Sequence, residues 1–199
     1  MTRIRTQYMT EMEMGGILFC FLCSFLTGNL YQLCGGHLIG VLFGAVNNSP
    51  WERAKTLLLP YLVWGLLELL SIQPSMKRYT VAKTVSLWLL LGMLCGGGLL
   101  LRLCGFSADS VPFTALSLFS MLTASAAALL LYRSPLPLRN WFAVCVFLLF
   151  LFLSLYFSFT PFPPQNLLFQ DSDTGLFGIV PIYYDKGASF LDAIAQINS

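Results

Sequence analysis

Five runs of apolar residues, each about as long as a bilayer is thick, dictate what this chain can become. They lie at about 15–34, 56–73, 81–103, 111–132 and 140–160. A helix needs about 20 such residues to cross about 30 Å of hydrocarbon at 1.5 Å per residue. Backbone polar groups have no water to bond in lipid, so the spans must be helical. The expected class is therefore all-α, a polytopic membrane helix bundle with about five transmembrane helices. Charged residues make up 10% of the 199, against about 25% in soluble domains. A soluble globule is excluded. The formal charge of +2 is dispersed, so no basic face forms for nucleic acid, which is not an expected partner. The lipid bilayer is the expected partner, and another membrane subunit or a second copy of the chain remains open.

The runs divide the chain into a bundle over 1–160 and a C-terminal tail over 161–199. Sidedness follows from Lys and Arg in short loops. Arg3, Arg5, Lys77, Arg78, Lys83, Arg133 and Arg139 fall on the N-terminal side; Arg53, Lys55, Arg102 and Lys186 fall on the other. The expectation is a cell (inner or plasma) membrane protein with a cytoplasmic N-terminus and an external C-terminus. The first run lacks a small-residue cleavage site and reads as a retained span.

Residues 35–46 (GGHLIGVLFGAV) are apolar but too short to cross, which leaves a short re-entrant or interfacial segment. At its end, Ser49-Pro50-Trp51-Glu52 reads as an N-cap, a proline at the first helical position and a glutamate closing a capping box. Pro60 lies well inside the second span and should bend it unless a neighbour satisfies the freed carbonyl. Gly92-x-x-x-Gly96 with Gly97 and Gly98 in the third span matches Ser117, Ser120, Ala124, Ala127 and Ala128 in the fourth as a close pair. The fifth span, crowded with phenylalanine, reads as largely lipid-facing. The six cysteines lie in spans or at their ends and read as packing residues.

Among the charged residues, Glu68, Lys83 and Arg102 fall inside the runs, and the last two sit near an end where they can snorkel. Glu68 either faces a cavity or partner, or reaches the interface near Ser71-Ile72-Gln73. The lone His37 cannot assemble a multi-histidine metal site and reads as interfacial packing. Asn47, Asn48, Ser49, Trp51, Glu52, Arg53 and Lys55 form the densest polar cluster. It is either cap and loop chemistry with Trp51 anchoring at the headgroups, or a pocket where Arg53 or Lys55 holds an anionic group beside a helix N-terminus. In the tail, Asp171 to Gly178 reads as a turn with Gly175 at positive φ. Ser189 to Ile197 reads as a short amphipathic helix. Topology puts the end of span one, the 47–55 cluster and the tail on one side. Asn29, Tyr31, His37, Asn47, Asn48, Glu52, Arg53 and Asp171 can therefore converge at one mouth, with Asp171 expected near Arg53 or Lys55.

At these residues the sequence resembles an uncharacterised family of small bacterial multi-pass membrane proteins. Members carry P-V-N-E-S-x-W-E-H-x-K before the second span and P-P-H-x-P-L-F-x-D-P-x-T-G-x-Y-G in the tail. Here these stand as Ala45-Val46-Asn47-Asn48-Ser49-Pro50-Trp51-Glu52-Arg53-Ala54-Lys55 and as Pro163-Pro164-Gln165-Asn166-Leu167-Leu168-Phe169-Gln170-Asp171-Ser172-Asp173-Thr174-Gly175-Leu176-Phe177-Gly178. The resemblance implies histidines at positions occupied here by Gly28, Arg53 and Gln165. Their loss speaks against metal chemistry in this chain, and no metal or cofactor is expected. The expected role is a ligand-binding, accessory or permeation component. The alternative is a membrane-embedded hydrolase acting on a lipid or peptide, with Glu52 and Asp171 as its acid and base.

Overall fold

The structure, a computed structural model, describes residues 2–107 and 110–180, with side chains from Tyr8 onward. The helix expected over Ser189–Ile197 lies outside the described residues. In chain order the helices are α1 (Thr2–Leu33), the short α2 (Leu38–Phe43), α3 (Pro50–Ile72), α4 (Met76–Leu103), α5 (Val111–Arg133) and α6 (Phe142–Ser158). A single 3-10 turn at Leu138–Trp141 leads into α6. Five of these segments are long and apolar enough to cross a membrane. The chain is a multi-pass membrane protein, all-α as its apolar runs require.

Helices α1, α3, α4 and α5 contact one another in a ring, and α6 docks on the outside against α4. Only Cys145, Phe152 and Tyr156 of α6 are buried, whereas Phe147 and Phe150 are exposed. The packing of α1 on α3 is set by a glycine. A Cβ on Gly16 would stand 2.3 Å from the indole nitrogen of Trp64, so only glycine lets α1 lie flat over that ring. The indole donates to Met12 O at 3.0 Å. The α4–α5 pair forms as expected, through the buried Ser120, Ala124 and Ala128. The glycines play different parts, however. Gly97 abuts Leu116 and Gly98 abuts Pro50 and Phe113, while Gly92 and Gly96 have nothing within 4 Å of a built Cβ.

After α1 the chain reverses at Gly35 and Gly36, both at positive φ (59° and 76°). It then runs back beside the helix it has left. Gly40 and Gly44 lie so close to the backbone of Tyr31 that a Cβ on either would stand 2.8 Å from it, and Ala45 N–H donates to Thr27 O at 3.2 Å. The returning strand of chain thus descends from the end of α1 to the level of Thr27, about 9 Å by helical rise.

Thr27 also explains how α3 tolerates its proline. Pro60 has no N–H for the carbonyl four residues back, that of Thr56. Thr27 Oγ1 stands 2.9 Å from Thr56 O, nearer than to Cys23 O and Ser24 O of its own helix at 3.0 and 3.2 Å, and its one proton can serve the neighbouring helix, while α3 runs unbroken from Pro50 to Ile72. Thr27→Val keeps the shape and removes that donor, leaving a buried carbonyl unsatisfied at a cost of about 1–3 kcal/mol. Pro60→Ala restores the intrahelical N–H, so the double variant should regain most of the loss. Thermal unfolding of the four proteins of this cycle checks the assignment.

Candidate functional site

Local chemistry at the start of α3 builds one wall of the site. Ser49 is the N-cap and its hydroxyl accepts from Glu52 N–H at 3.2 Å. The glutamate does not return the bond, so the capping box is half made. Ser49 N–H is taken by Asn47 Oδ1 at 2.9 Å. Glu52 instead turns inward, accepting from Val46 N–H at 3.2 Å and Lys55 Nζ at 3.0 Å on Oε2, and from Thr160 Oγ1 at 2.8 Å on Oε1. Lys55 closes this buried triangle with bonds to Thr160 Oγ1 at 2.6 Å and Gly44 O at 3.2 Å. Glu52, Lys55 and Thr160 are each no more than 2% exposed. They tie the loop before α3 to the end of α6.

The tail supplies the roof. Trp51 N–H donates to Leu168 O at 3.1 Å, and its ring packs against Phe159 and Phe169 at centroid distances of 5.2 and 5.3 Å. Asp171 folds its own turn by accepting from Thr174 N–H and Oγ1 at 2.8 and 2.6 Å, and it reaches across to Asn48 N–H at 2.8 Å. Gly175, at φ 75°, makes that turn possible. Asn47 Nδ2 donates to Gly178 O at 2.7 Å, and Tyr31 OH to Val180 O at 3.2 Å. From the last turn of α4, the Arg102 guanidinium grips Leu167 O at 2.7 Å, Gln170 Oε1 at 3.1 Å and Gln170 O.

Between this roof and the outer halves of α1 and α5 lies a cavity of about 660 Å³. Of the residues singled out from the sequence, Asn29, Tyr31, Asn47, Asn48, Arg53 and Asp171 line it. The others go elsewhere. His37 is exposed at the N-cap of α2 and makes no cap bond with its side chain. Trp51 is packed under the tail, Glu52 and Lys55 are locked in their triangle, and Glu68 lies at the far end of the bundle. Of the two expected neighbours of Asp171, Lys55 is turned away to Glu52, Thr160 and Gly44, whereas Arg53 lines the same cavity and shares Asn48 with it, Asn48 N–H donating to Asp171 and Asn48 Oδ1 accepting from Arg53 Nη2 at 2.9 Å.

Ser24 of α1, Thr114 and Ser117 of α5, and Asp173 and Thr174 of the tail also line the cavity. From the sequence Ser117 reads as a packing residue, Asp173 and Thr174 as parts of a turn, and Ser24 and Thr114 carry no assignment. The spacing of Thr114 and Ser117 puts their hydroxyls on one face of α5 near the tail-bearing end, a signal that was present. Positions 28 and 53, where the resembling family carries histidine, both face this cavity. Among the described residues no three His, Cys, Asp or Glu side chains converge.

At the opposite end a second polar centre sits inside the ring. Lys83 of α4 contacts Glu13 of α1 at 2.5 Å and Glu68 of α3 at 2.7 Å. Lys83 was expected to snorkel. It is buried instead, because α4 begins at Met76 and places it two turns inside the helix. Glu13, two residues before the first apolar run, is 1% exposed.

A helix ring with a roofed polar cavity at one end and a buried ionic cluster at the other defines a helical membrane protein of the multi-pass class. The chain belongs to the family of unknown function DUF6512, whose sequence profile matches residues 1–179. No curated protein and no solved structure matches it.

Proposed function

We propose that this protein is a membrane-embedded binding component that holds a small polar or amphiphilic molecule in the cavity under its tail. The carrying observation is the cavity itself. Its 660 Å³ falls within the range of small-molecule sites, about 300–1,000 Å³, and amides, hydroxyls and the Arg53 side chain line it. Phe21 and Phe25 of α1 and Phe113 of α5 add an apolar wall, which suits a molecule with both a head and a chain. Binding is better supported than a continuous pore. By position along their helices, Cys20, Tyr61, Leu90 and Met121 fall between the cavity and the ionic cluster, and each is at most 2% exposed. The hydrolase alternative has less support, since every oxygen of Glu52 and Asp171 already accepts from a donor of the protein.

The test fills the cavity. Gly28→Leu and Ser117→Phe project side chains into it from α1 and α5. Native mass spectrometry of detergent-purified protein should find a co-purifying small molecule on the wild type and not on either variant, with the thermal transition of the variants retained. A wild type that carries nothing, and that no amphiphile or polar solute stabilises against heat, would overturn the proposal.

For orientation, with the buried Lys83 and Lys55 left out, the bias of six Lys and Arg on the N-terminal side against three on the other supports a cytoplasmic N-terminus and an external tail. A cysteine at Asn166, in a chain stripped of its native cysteines, should be labelled by an impermeant thiol reagent in intact cells. Labelling of a cysteine near the N-terminus instead would reverse the assignment.

A further inference from the structure

The cluster at the end of the ring remote from the tail contains two carboxylates and one ammonium. Glu13 comes from α1, Glu68 from α3 and Lys83 from α4. The side chains of Glu13 and Glu68 are 2% and 0% exposed and that of Lys83 is 10% exposed. Among the described residues Lys83 is the only cation within ion-pair distance of either carboxylate. The other titratable groups facing the cluster are Tyr61 of α3, Tyr79 of α4 and Cys20 of α1, all uncharged as a phenol or thiol. From α5 comes the hydroxyl of Ser125. Arg133, the nearest cation on α5, is bonded to Thr10. With both glutamates ionised the cluster would carry a net −1 among side chains of which the most exposed, Lys83, is 10% accessible, and an uncompensated buried charge is strongly disfavoured.

The two carboxylates are not equivalent. Glu68 accepts from Tyr79 OH at 2.8 Å and Trp64 Nε1 at 3.1 Å besides its contact with Lys83 at 2.7 Å. Among the described residues Glu13 has Lys83 alone among charged groups, at ion-pair distance but without hydrogen-bond alignment, and it faces Ser125, whose buried Oγ has no hydrogen-bond partner. Glu68, with two donors besides Lys83, is the better-partnered carboxylate and forms the pair with Lys83. A hydroxyl with an open acceptor suits a carboxylic O–H. A cavity of about 170 Å³ between α3, α4 and α6, walled mostly by leucines, reaches Lys83, Tyr61 and Tyr79.

We propose that this cluster is a proton-binding site, with one exchangeable proton held on Glu13 beside the Lys83–Glu68 pair. It is independent of the ligand cavity at the other end. On release the O–H bond of Glu13 breaks and its electron pair stays on the carboxylate. The proton passes to bulk water by way of Lys83, which contacts Glu13 and is the most exposed member of the cluster. Because release leaves a net −1, the folded protein should lose stability as pH rises through the range where the proton leaves.

Infrared spectroscopy of the full chain in detergent tests this. The wild type at neutral pH should show the carbonyl stretch of one buried protonated carboxyl per chain, shifted in D2O and lost at alkaline pH. Glu13→Gln should remove that band, leave the thermal midpoint at neutral pH unchanged and abolish its fall with rising pH. Glu68→Gln should also remove the band, since Glu13 then ionises against Lys83, but it should lower the midpoint because Tyr79 and Trp64 lose their acceptor. A wild type without the band, or a band that persists in Glu13→Gln, overturns the proposal.

Discussion

Lys55→Met is expected to destabilise the protein by about 3–5 kcal/mol, the range for breaking a buried ion pair by removing one partner. The ammonium sits with 1% side-chain exposure against a Glu52 carboxylate at 3%. Without it, Glu52 keeps only Val46 N–H and Thr160 Oγ1 to compensate a full charge, and Thr160 loses the donor that holds its lone pair. The damage should come from the stranded anion and not from lost packing, because methionine fills most of the lysine stem. Lys55→Met combined with Glu52→Gln should therefore recover most of the stability, as buried pairs replaced on both sides often prove neutral. Equilibrium unfolding of the single and double variants decides it. Equal losses in both would locate the effect in the lysine stem or the Thr160 contact.

Release of the tail is the second large effect expected. Asp171→Ala removes the acceptor of three hydrogen bonds, one across to Asn48 and two within its own turn. Hydrogen bonds to charged groups contribute about 1.5–3 kcal/mol each, though bonds lost together do not add. Arg102→Ala frees the neighbouring carbonyls of Leu167 and Gln170 from the other side. Both variants undo one segment, so their double-mutant cycle should be strongly non-additive. Limited proteolysis should cut either variant within 161–180 while sparing the wild type. The cycle of Asp171→Asn with Lys55→Gln should be close to additive, since the two side chains bond to different groups.

How far the sequence could be read depended on whether a feature was local. The five helices follow from apolar run length, and Ser49 at the start of α3 and Gly175 at positive φ follow from residue preferences a few positions wide. Pairings between helices did not follow so directly. Glu13 lies just outside an apolar run and Lys83 just inside one, so each alone reads as an interfacial charge. Their joint burial needs the ring to bring α1, α3 and α4 together. Gly92 and Gly96 have the spacing of a helix-packing motif, yet the next two glycines make the contact, because rotation of α4 is fixed by Pro50, Phe113 and Leu116. Asp171 shares its cavity with Arg53 as expected, but its bonds go to its own turn and to Asn48 N–H, and Lys55 is turned elsewhere. Arg102 reads in the sequence as a charge at a span end that can snorkel, and only the folded tail lying across its guanidinium gives it partners.

The partners in the roof are far apart along the chain: Asn47 meets Gly178 across 131 residues and Tyr31 meets Val180 across 149. Synthesis runs in one direction, so every helix is made before the segment that covers their ends. A newly inserted bundle must then pass through a stage in which Asn47, Asn48 and Arg102 lack their tail partners. One wall of the cavity is therefore the last part of it to be synthesised, and the described helices must hold their places before that wall exists.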